Sequence, residues 1–238
     1  MTARKLSAQL VFDLTAPPAL GRADFFVSGA NALAVRMLAE PGRWPAGKLL
    51  LTGPEGSGKT HLAGIWAAER GAAVFSAGDL PESPPRGRPG AVVVEDAGLV
   101  AGDARAEAAL FHLHNHVLAS GGYLLLTASA PPGVWGLATP DLLSRMDATA
   151  RAALLPPDDA LLRAVLVKLF ADRQVSVAPN VIAYLVARID RSFAAARDIV
   201  ARLDARALAR GSKVTRTLAA EVMGQPPDPL DRGGAEGS

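Results

Sequence analysis

The chain predicts an α/β fold, a parallel sheet flanked by helices, followed by a small all-helical lid. Three observations carry that reading. Leu49-Leu50-Leu51-Thr52 feeds the loop Gly53-Pro54-Glu55-Gly56-Ser57-Gly58-Lys59-Thr60, and His61 to Ala68 follows at helical spacing. A second apolar run, Ala91-Val92-Val93-Val94, ends in the carboxylates Glu95 and Asp96. From Ala160 onward the strand-like runs stop and helical periodicity takes over.

The first observation is the most specific. G-x-x-x-x-G-K-T between a strand and a helix is the phosphate-binding P-loop. Gly53, Gly56 and Gly58 let backbone N–H groups approach a polyphosphate, and the positive end of the following helix points at the same anion. Lys59 is expected to reach the β- and γ-phosphates and the Thr60 hydroxyl to bind Mg²⁺. The loop therefore predicts a nucleoside triphosphate or diphosphate with Mg²⁺ as cofactor.

The remaining elements follow in order. Residues 1–20 read as an arm containing Gln9-Leu10-Val11-Phe12-Asp13-Leu14. That segment fits an edge strand, and it equally fits a short linear peptide for a partner's apolar pockets. Asp24 to Asn31 precedes a helix over Ala32–Leu38, with Asn31 as its N-cap. The segment can wrap an adenine ring or simply pack. Ala73–Ser76 is a short strand, and residues 78–90 are a loop rich in Pro, Gly and charge.

Ala91–Asp96 is a buried parallel strand with acids at its tip. There Glu95 is placed to hold the magnesium shell and Asp96 to orient the attacking water. Ala104–Ala119 is a helix whose histidines, His112, His114 and His116, read as solvated or interface side chains rather than a metal set. Tyr123–Thr127 is a further buried strand, with a polar tip able to sense a γ-phosphate. Arg145 reads either as a surface arginine or as a finger for a neighbouring subunit's phosphate. Ala152–Leu155 is a last short strand.

Helices are then expected over Leu161–Ala171, Val181–Arg188, Phe193–Arg210 and Thr215–Met223, with Asp159 and Thr215 as caps and Pro179 opening one of them. The organisation expected is an arm (1–20), a nucleotide-binding α/β domain (21–157), a helical lid (158–223) and a tail (224–238).

Composition bounds the function without choosing it. Half of the 238 residues are hydrophobic, enough for a sizeable core. A formal net charge of +2 makes no electrostatic case for nucleic-acid binding, which needs a clustered basic patch. Cysteine is absent, excluding disulfides and thiolate metal sites. With no run of 18 apolar residues and no signal-peptide core, a cytoplasmic location away from membranes is expected.

Together these residues resemble the AAA+ ATPases, and within them the DnaA-related group. The carriers are Phe26-Val27 through Asn31-Ala32-Leu33-Ala34, then Gly53 to Leu62, then Ala109-Leu110-Phe111-His112-Leu113-His114-Asn115. Further carriers are Leu126-Thr127 with Pro131-Pro132, Asp141-Leu142-Leu143-Ser144-Arg145 and Arg188-Ile189-Asp190-Arg191. A short arm, an ATPase domain and a lid form a layout similar to the Hda group, which inactivates the DnaA replication initiator.

What the resemblance implies can be stated residue by residue. Val27 and Asn31, the loop from Gly53 through His61, and Arg191 would contact nucleotide. Thr60 and Glu95 would serve the metal, and Asp96 and Arg145 would be catalytic, Arg145 as a finger on a DnaA partner's ATP. Gln9, Leu10, Phe12 and Leu14 would bind the DNA polymerase III sliding clamp (its β subunit), so that DNA is met only through the clamp. A homodimer is compatible.

Three positions depart from the family pattern. Glu95 stands where Asp is usual, Ser129 where an acid is usual, and the lid arginine falls on Ala194, leaving Arg191 or Arg197 to substitute. These departures point to weak hydrolysis by the chain itself. The alternative function is an autonomous AAA+ ATPase, a helicase loader or DNA remodeller. A small-molecule kinase fits less well, since it gives the lid and Ser144-Arg145 no work.

Overall fold

The computed structural model describes residues 26–83, 87 and 89–224. Gln9, Leu10, Phe12 and Leu14 lie outside the described residues, as does the tail from residue 225.

Five parallel strands form one sheet: β1 (Lys48–Thr52), β2 (Ala73–Ser76), β3 (Ala91–Glu95), β4 (Tyr123–Ala128) and β5 (Ala150–Ala153), in the order β2-β3-β4-β1-β5. Parallel strands need crossover helices that cover both faces, so the central strands are apolar through their middles. Leu49, Leu50 and Leu51 are fully buried, as are Val92, Val93 and Val94. Strand periodicity sends alternate residues to opposite faces. Leu49, Leu51 and Val93 therefore pack with α1 (Ala32–Ala39) and α2 (Lys59–Arg70), around Trp44 stacked 5.2 Å from Trp66. Leu50, Val92 and Val94 pack with α3 (Ala104–Ala119) and α4 (Pro140–Asp147).

Four helices, α5 (Asp159–Asp172), α6 (Pro179–Val186), α7 (Phe193–Arg210) and α8 (Arg216–Val222), bury a separate apolar cluster around Leu166, Phe170, Leu185 and Leu203. Ser192 and Thr215 cap α7 and α8 through their hydroxyls.

Several expectations need correction. The last strand is Ala150–Ala153, two residues earlier than expected, because it takes its register from Leu49–Thr52. Leu154 has left the strand, although its N–H still reaches the Thr52 carbonyl at 2.7 Å. The cap of α5 is Asp158, not Asp159: its Oδ1 accepts from the Leu161 N–H at 2.8 Å. Asn31 occupies the N-cap position of α1 without capping it. Its side chain turns back, accepting from the Ser28 N–H at 3.0 Å and donating to the Phe26 carbonyl at 3.1 Å. Residues 140–147 form α4, a helix the sequence reading did not assign.

Candidate nucleotide site and the arginine at the opposite edge

The C-terminal edge of the sheet collects the expected chemistry. β1 leads into the phosphate loop, β3 ends in Glu95 and Asp96, and β4 places Thr127 between them. In an open parallel sheet the ligand crevice lies at this edge.

The loop is shaped by close approach. A Cβ on Gly53 would collide with the Leu154 carbonyl, and one on Gly58 would meet the Phe193 ring at 2.8 Å. Gly58 also has φ +96°, a conformation that excludes side chains for steric reasons. The start of α7 thus lies directly on the loop, and the Phe193 N–H donates to the Gly56 carbonyl at 3.1 Å.

Lys59 is buried at the base of the loop, where its Nζ donates to the carbonyls of Gly53 (2.8 Å) and Pro54 (2.9 Å). Burial lowers its pKa, while the charges of Asp96 and Glu55 act the other way. Ser57 Oγ, also in the loop, is buried without a hydrogen-bond partner among the described residues. An orphaned hydroxyl and, in the same loop, a lysine that spends two of its three donors on carbonyls make a cradle suited to an anion. The Thr60 hydroxyl hydrogen-bonds Glu95, whose pKa is raised by burial and then by Asp96, against that hydrogen bond. A hydroxyl and a carboxylate supply few protein ligands. That suits Mg²⁺, which keeps several waters and takes oxygens from substrate phosphates. Among the described residues no group of three or more His, Cys, Asp or Glu could hold a metal.

Asp96 adopts the left-handed conformation at φ +52°, and its N–H donates to the buried Thr127 Oγ1 at 2.9 Å. This bond ties the acidic tip of β3 to the polar tip of β4. A non-glycine residue in that region is uncommon and clusters at functional sites.

The peripheral candidates separate. Val27 is half-exposed and lines a cleft of about 190 Å³ with Val35, Leu38, Leu62, Ile65 and Trp66. Both ends of the Asn31 amide are committed to the segment bearing Val27. His61 is shifted below its ordinary pKa by burial and then by the Arg197 charge. Arg197 is thus near enough for its charge to act on His61 at the start of α2, and Arg191 pairs with Asp159 at 2.7 Å on the surface.

Arg145 lies elsewhere. It sits in the last turn of α4, exposed, with its guanidinium 4.9 Å from the Phe111 ring centroid. Its carbonyl accepts from Nζ of Lys48, the first residue of β1, at 2.6 Å. Gly53 is five residues beyond Lys48 along the strand, which is about 16 Å at the usual rise. Arg145 and Asp96 are therefore at opposite edges of the sheet and do not form one site within a chain.

Four contributors were missed from sequence: Lys48, Glu107, Phe111 as a stacking partner and Phe193. The lysine is a charge opening an otherwise apolar strand, and that anomaly was the one signal available. Glu107 is fully buried on α3 and accepts from Gly102, Ala138 and Thr139 N–H groups and from the Thr139 hydroxyl. It pins the segment that starts α4. His114, read as solvated or at an interface, is instead buried against Lys48, and burial pushes its pKa down to about 4.

No protein-family model matches the chain. Among solved structures it is similar to domain III of the replication initiation protein DnaA from Thermotoga maritima, with a TM-score of 0.76 and 20% identity over 87% of this chain and 97% of that one. It is also similar to a replication initiator DnaA bound to AMPPCP and single-stranded DNA (TM-score 0.67, 17% identity, 82% of this chain and 68% of that one). A third likeness is to the RuvB Holliday junction branch migration motor of Thermotoga maritima (TM-score 0.62, 17% identity, 84% and 71%). At such identities the shared property is the fold, a DnaA-like AAA+ fold.

Proposed function

We propose that the chain binds ADP or ATP with Mg²⁺ and regulates chromosome replication initiation in the cytoplasm, by stimulating ATP hydrolysis on a DnaA-type partner through Arg145. The observation that carries this reading is the placement of Arg145: exposed, and a strand's length from the chain's own phosphate loop. An arginine so placed serves a phosphate bound to another subunit. A guanidinium offered in trans neutralises charge developing on the transferred phosphoryl group, an effect of about 10³–10⁵ in rate.

Nucleotide would be held by Gly53–Thr60, with Lys59 on the phosphates, Thr60 and Glu95 towards Mg²⁺, and Arg191 or Arg197 as the lid cation. The metal supplies charge neutralisation between phosphate oxygens. The chain's own part is to cradle the phosphates in backbone N–H groups and keep α7 seated on the loop. Gln9, Leu10, Phe12 and Leu14 would recruit the sliding clamp, bringing DNA near without direct contact. Support for the replication setting is the shared fold with DnaA, one example of which binds AMPPCP and single-stranded DNA.

A second reading has its own observation. Glu95, Asp96 and Thr127 converge beside Lys59, an arrangement suited to turnover by the chain itself. That autonomous ATPase predicts hydrolysis by the isolated protein and salt-dependent DNA binding. The deciding experiment measures hydrolysis by ATP-loaded DnaA with this protein, with and without DNA-loaded clamp. Clamp-dependent stimulation supports the first reading. Turnover by this chain alone, indifferent to both partners, supports the second.

A further inference from the structure

The bottom edge of the sheet carries a charge that none of this chemistry uses. Lys48 is only 5% exposed and begins the central strand β1. Its Nζ donates to the Arg145 carbonyl at 2.6 Å and lies 3.4 Å from His114 Nε2. His114 Nδ1 is 3.1 Å from Asn115 Oδ1. An amide oxygen only accepts, so these partners place the ring proton on Nδ1 and leave the Nε2 lone pair facing Lys48. The same Arg145 carbonyl accepts from the buried Thr149 Oγ1 at 3.0 Å. Both its lone pairs are therefore occupied.

A buried ammonium is costly unless its donors are satisfied. Lys48 offsets much of that cost by placing two of its three donors, one on an acceptor of α3 and one on an acceptor of α4. The second is a terminal carbonyl of α4, where the helix dipole favours a cation. Lys48 thereby joins the backbone of Arg145 to the helix that also carries Phe111, the ring under the Arg145 guanidinium. Backbone and side chain of the arginine are each fixed against α3.

We infer that Lys48, with His114 as its acceptor, is a positioning residue that holds Arg145 in the posture from which its guanidinium is presented to a partner. The inference rests on the finger reading proposed above and extends it to residues that touch neither nucleotide nor partner. Loss of the lysine frees the last turn of α4 and lets the guanidinium leave Phe111. The finger is then present but disordered, which reduces catalysis more than docking.

Two readouts separate this inference from the reading it rests on. The first is the proton chemical shift of the Arg145 side chain in the full-length protein. In the wild type it is displaced by the Phe111 ring current, and Phe111→Leu supplies the undisplaced reference. Lys48→Met is expected to move it at least halfway to that reference. A wild-type shift in a folded Lys48→Met protein would overturn the inference. Should Lys48→Met not fold, His114→Leu removes the acceptor on α3 alone and is held to the same criterion.

The second readout is hydrolysis by ATP-loaded DnaA across a titration of each variant with DNA-loaded clamp. Lys48→Met and His114→Leu are expected to lower the maximal stimulated rate about tenfold, with the half-saturating concentration within twofold of wild type. His114→Gln, which keeps an acceptor near the Nε2 position, is expected to lose far less than His114→Leu. Equal losses in the two His114 variants, or a change only in half-saturation, would count against positioning. If the arginine shift collapses in Lys48→Met while stimulation stays intact, the finger reading falls and the structural link from Lys48 to Arg145 stands.

Discussion

Glu107→Gln tests how the segment leading into α4 is held. In the wild type, Oε1 accepts from the N–H groups of Gly102 (3.3 Å) and Ala138 (2.9 Å). Oε2 accepts from the Thr139 N–H (2.8 Å) and hydroxyl (2.6 Å). Glutamine keeps one acceptor and replaces the other with an NH₂ group facing donors. The Thr139 hydroxyl can rotate to accept, but the Thr139 N–H cannot, so one buried donor loses its partner.

An unsatisfied buried donor costs about 1–3 kcal/mol, and hydrogen bonds to a charged acceptor contribute about 1.5–3 kcal/mol against about 1 for neutral ones. Together the expected loss is about 2–4 kcal/mol. At about 2–4 °C per kcal/mol for a chain of this size, Tm should fall by about 4–16 °C.

The pH dependence adds a sign. Burial alone would raise the Glu107 pKa, but the bonds from Thr139, Ala138 and Gly102 outweigh it and hold the carboxyl below its ordinary value. A depressed carboxylate contributes stability above its unfolded pKa and loses it as pH falls through the folded one. Thermal melts from pH 7 to pH 3 should therefore show a steeper acid decline in the wild type than in Glu107→Gln. Equal melting temperatures at pH 7 with superimposable acid limbs would refute the clasp.

Gly58→Ala forces a side chain into φ +96° and against Phe193, and strain of about 1–2 kcal/mol is expected, visible by calorimetry and partly relieved by adding Phe193→Ala. Arg197→Ala should weaken ADP binding by calorimetric titration about tenfold. Arg191→Ala should do so less than threefold, because its exposed pair with Asp159 contributes little. His114 titrates near 4 when folded and near 6.5 when unfolded, because burial and then the Lys48 and Arg145 charges oppose its protonation, after allowance for its bond to Asn115. Stability is thus lost as pH falls across that window, by about 3 kcal/mol in full. In denaturant titrations His114→Gln should flatten the pH 6.5–4 slope.

Elements with strong periodicity were legible in the sequence. The leucines of β1 and the valines of β3 announce buried parallel strands because both faces of the sheet are covered. The phosphate loop is legible because its glycines, lysine and threonine have no cheaper explanation at that spacing. Short or weakly patterned pieces were not. Arg151 in Ala150–Ala153 interrupts any apolar run, and the register of β5 comes from pairing with β1, which is tertiary information. The eight residues of α4 begin at Pro140 with little intrinsic helix signal and are stabilised by Leu142 and Met146 in the core.

Side-chain use was harder still. Asn31 looked like a cap because its type and position suit one, yet a competing local pair of hydrogen bonds to residues 26–28 won. His114 and Lys48 are 66 residues apart, so neither reveals the other in sequence. The separation of Asp96 from Arg145 likewise required the sheet: sequence supplies two catalytic candidates, and only topology shows that they lie at opposite edges of it.

The central claim is that Arg145 acts on a phosphate bound to a partner. Its most direct test is single-turnover hydrolysis by ATP-loaded DnaA, with DNA-loaded clamp and either wild-type protein or Arg145→Ala. The account predicts that Arg145→Ala binds ADP and melts as the wild type does, while stimulation of the partner falls by about 10³-fold or to background. Stimulation by Arg145→Ala at the wild-type rate would contradict it.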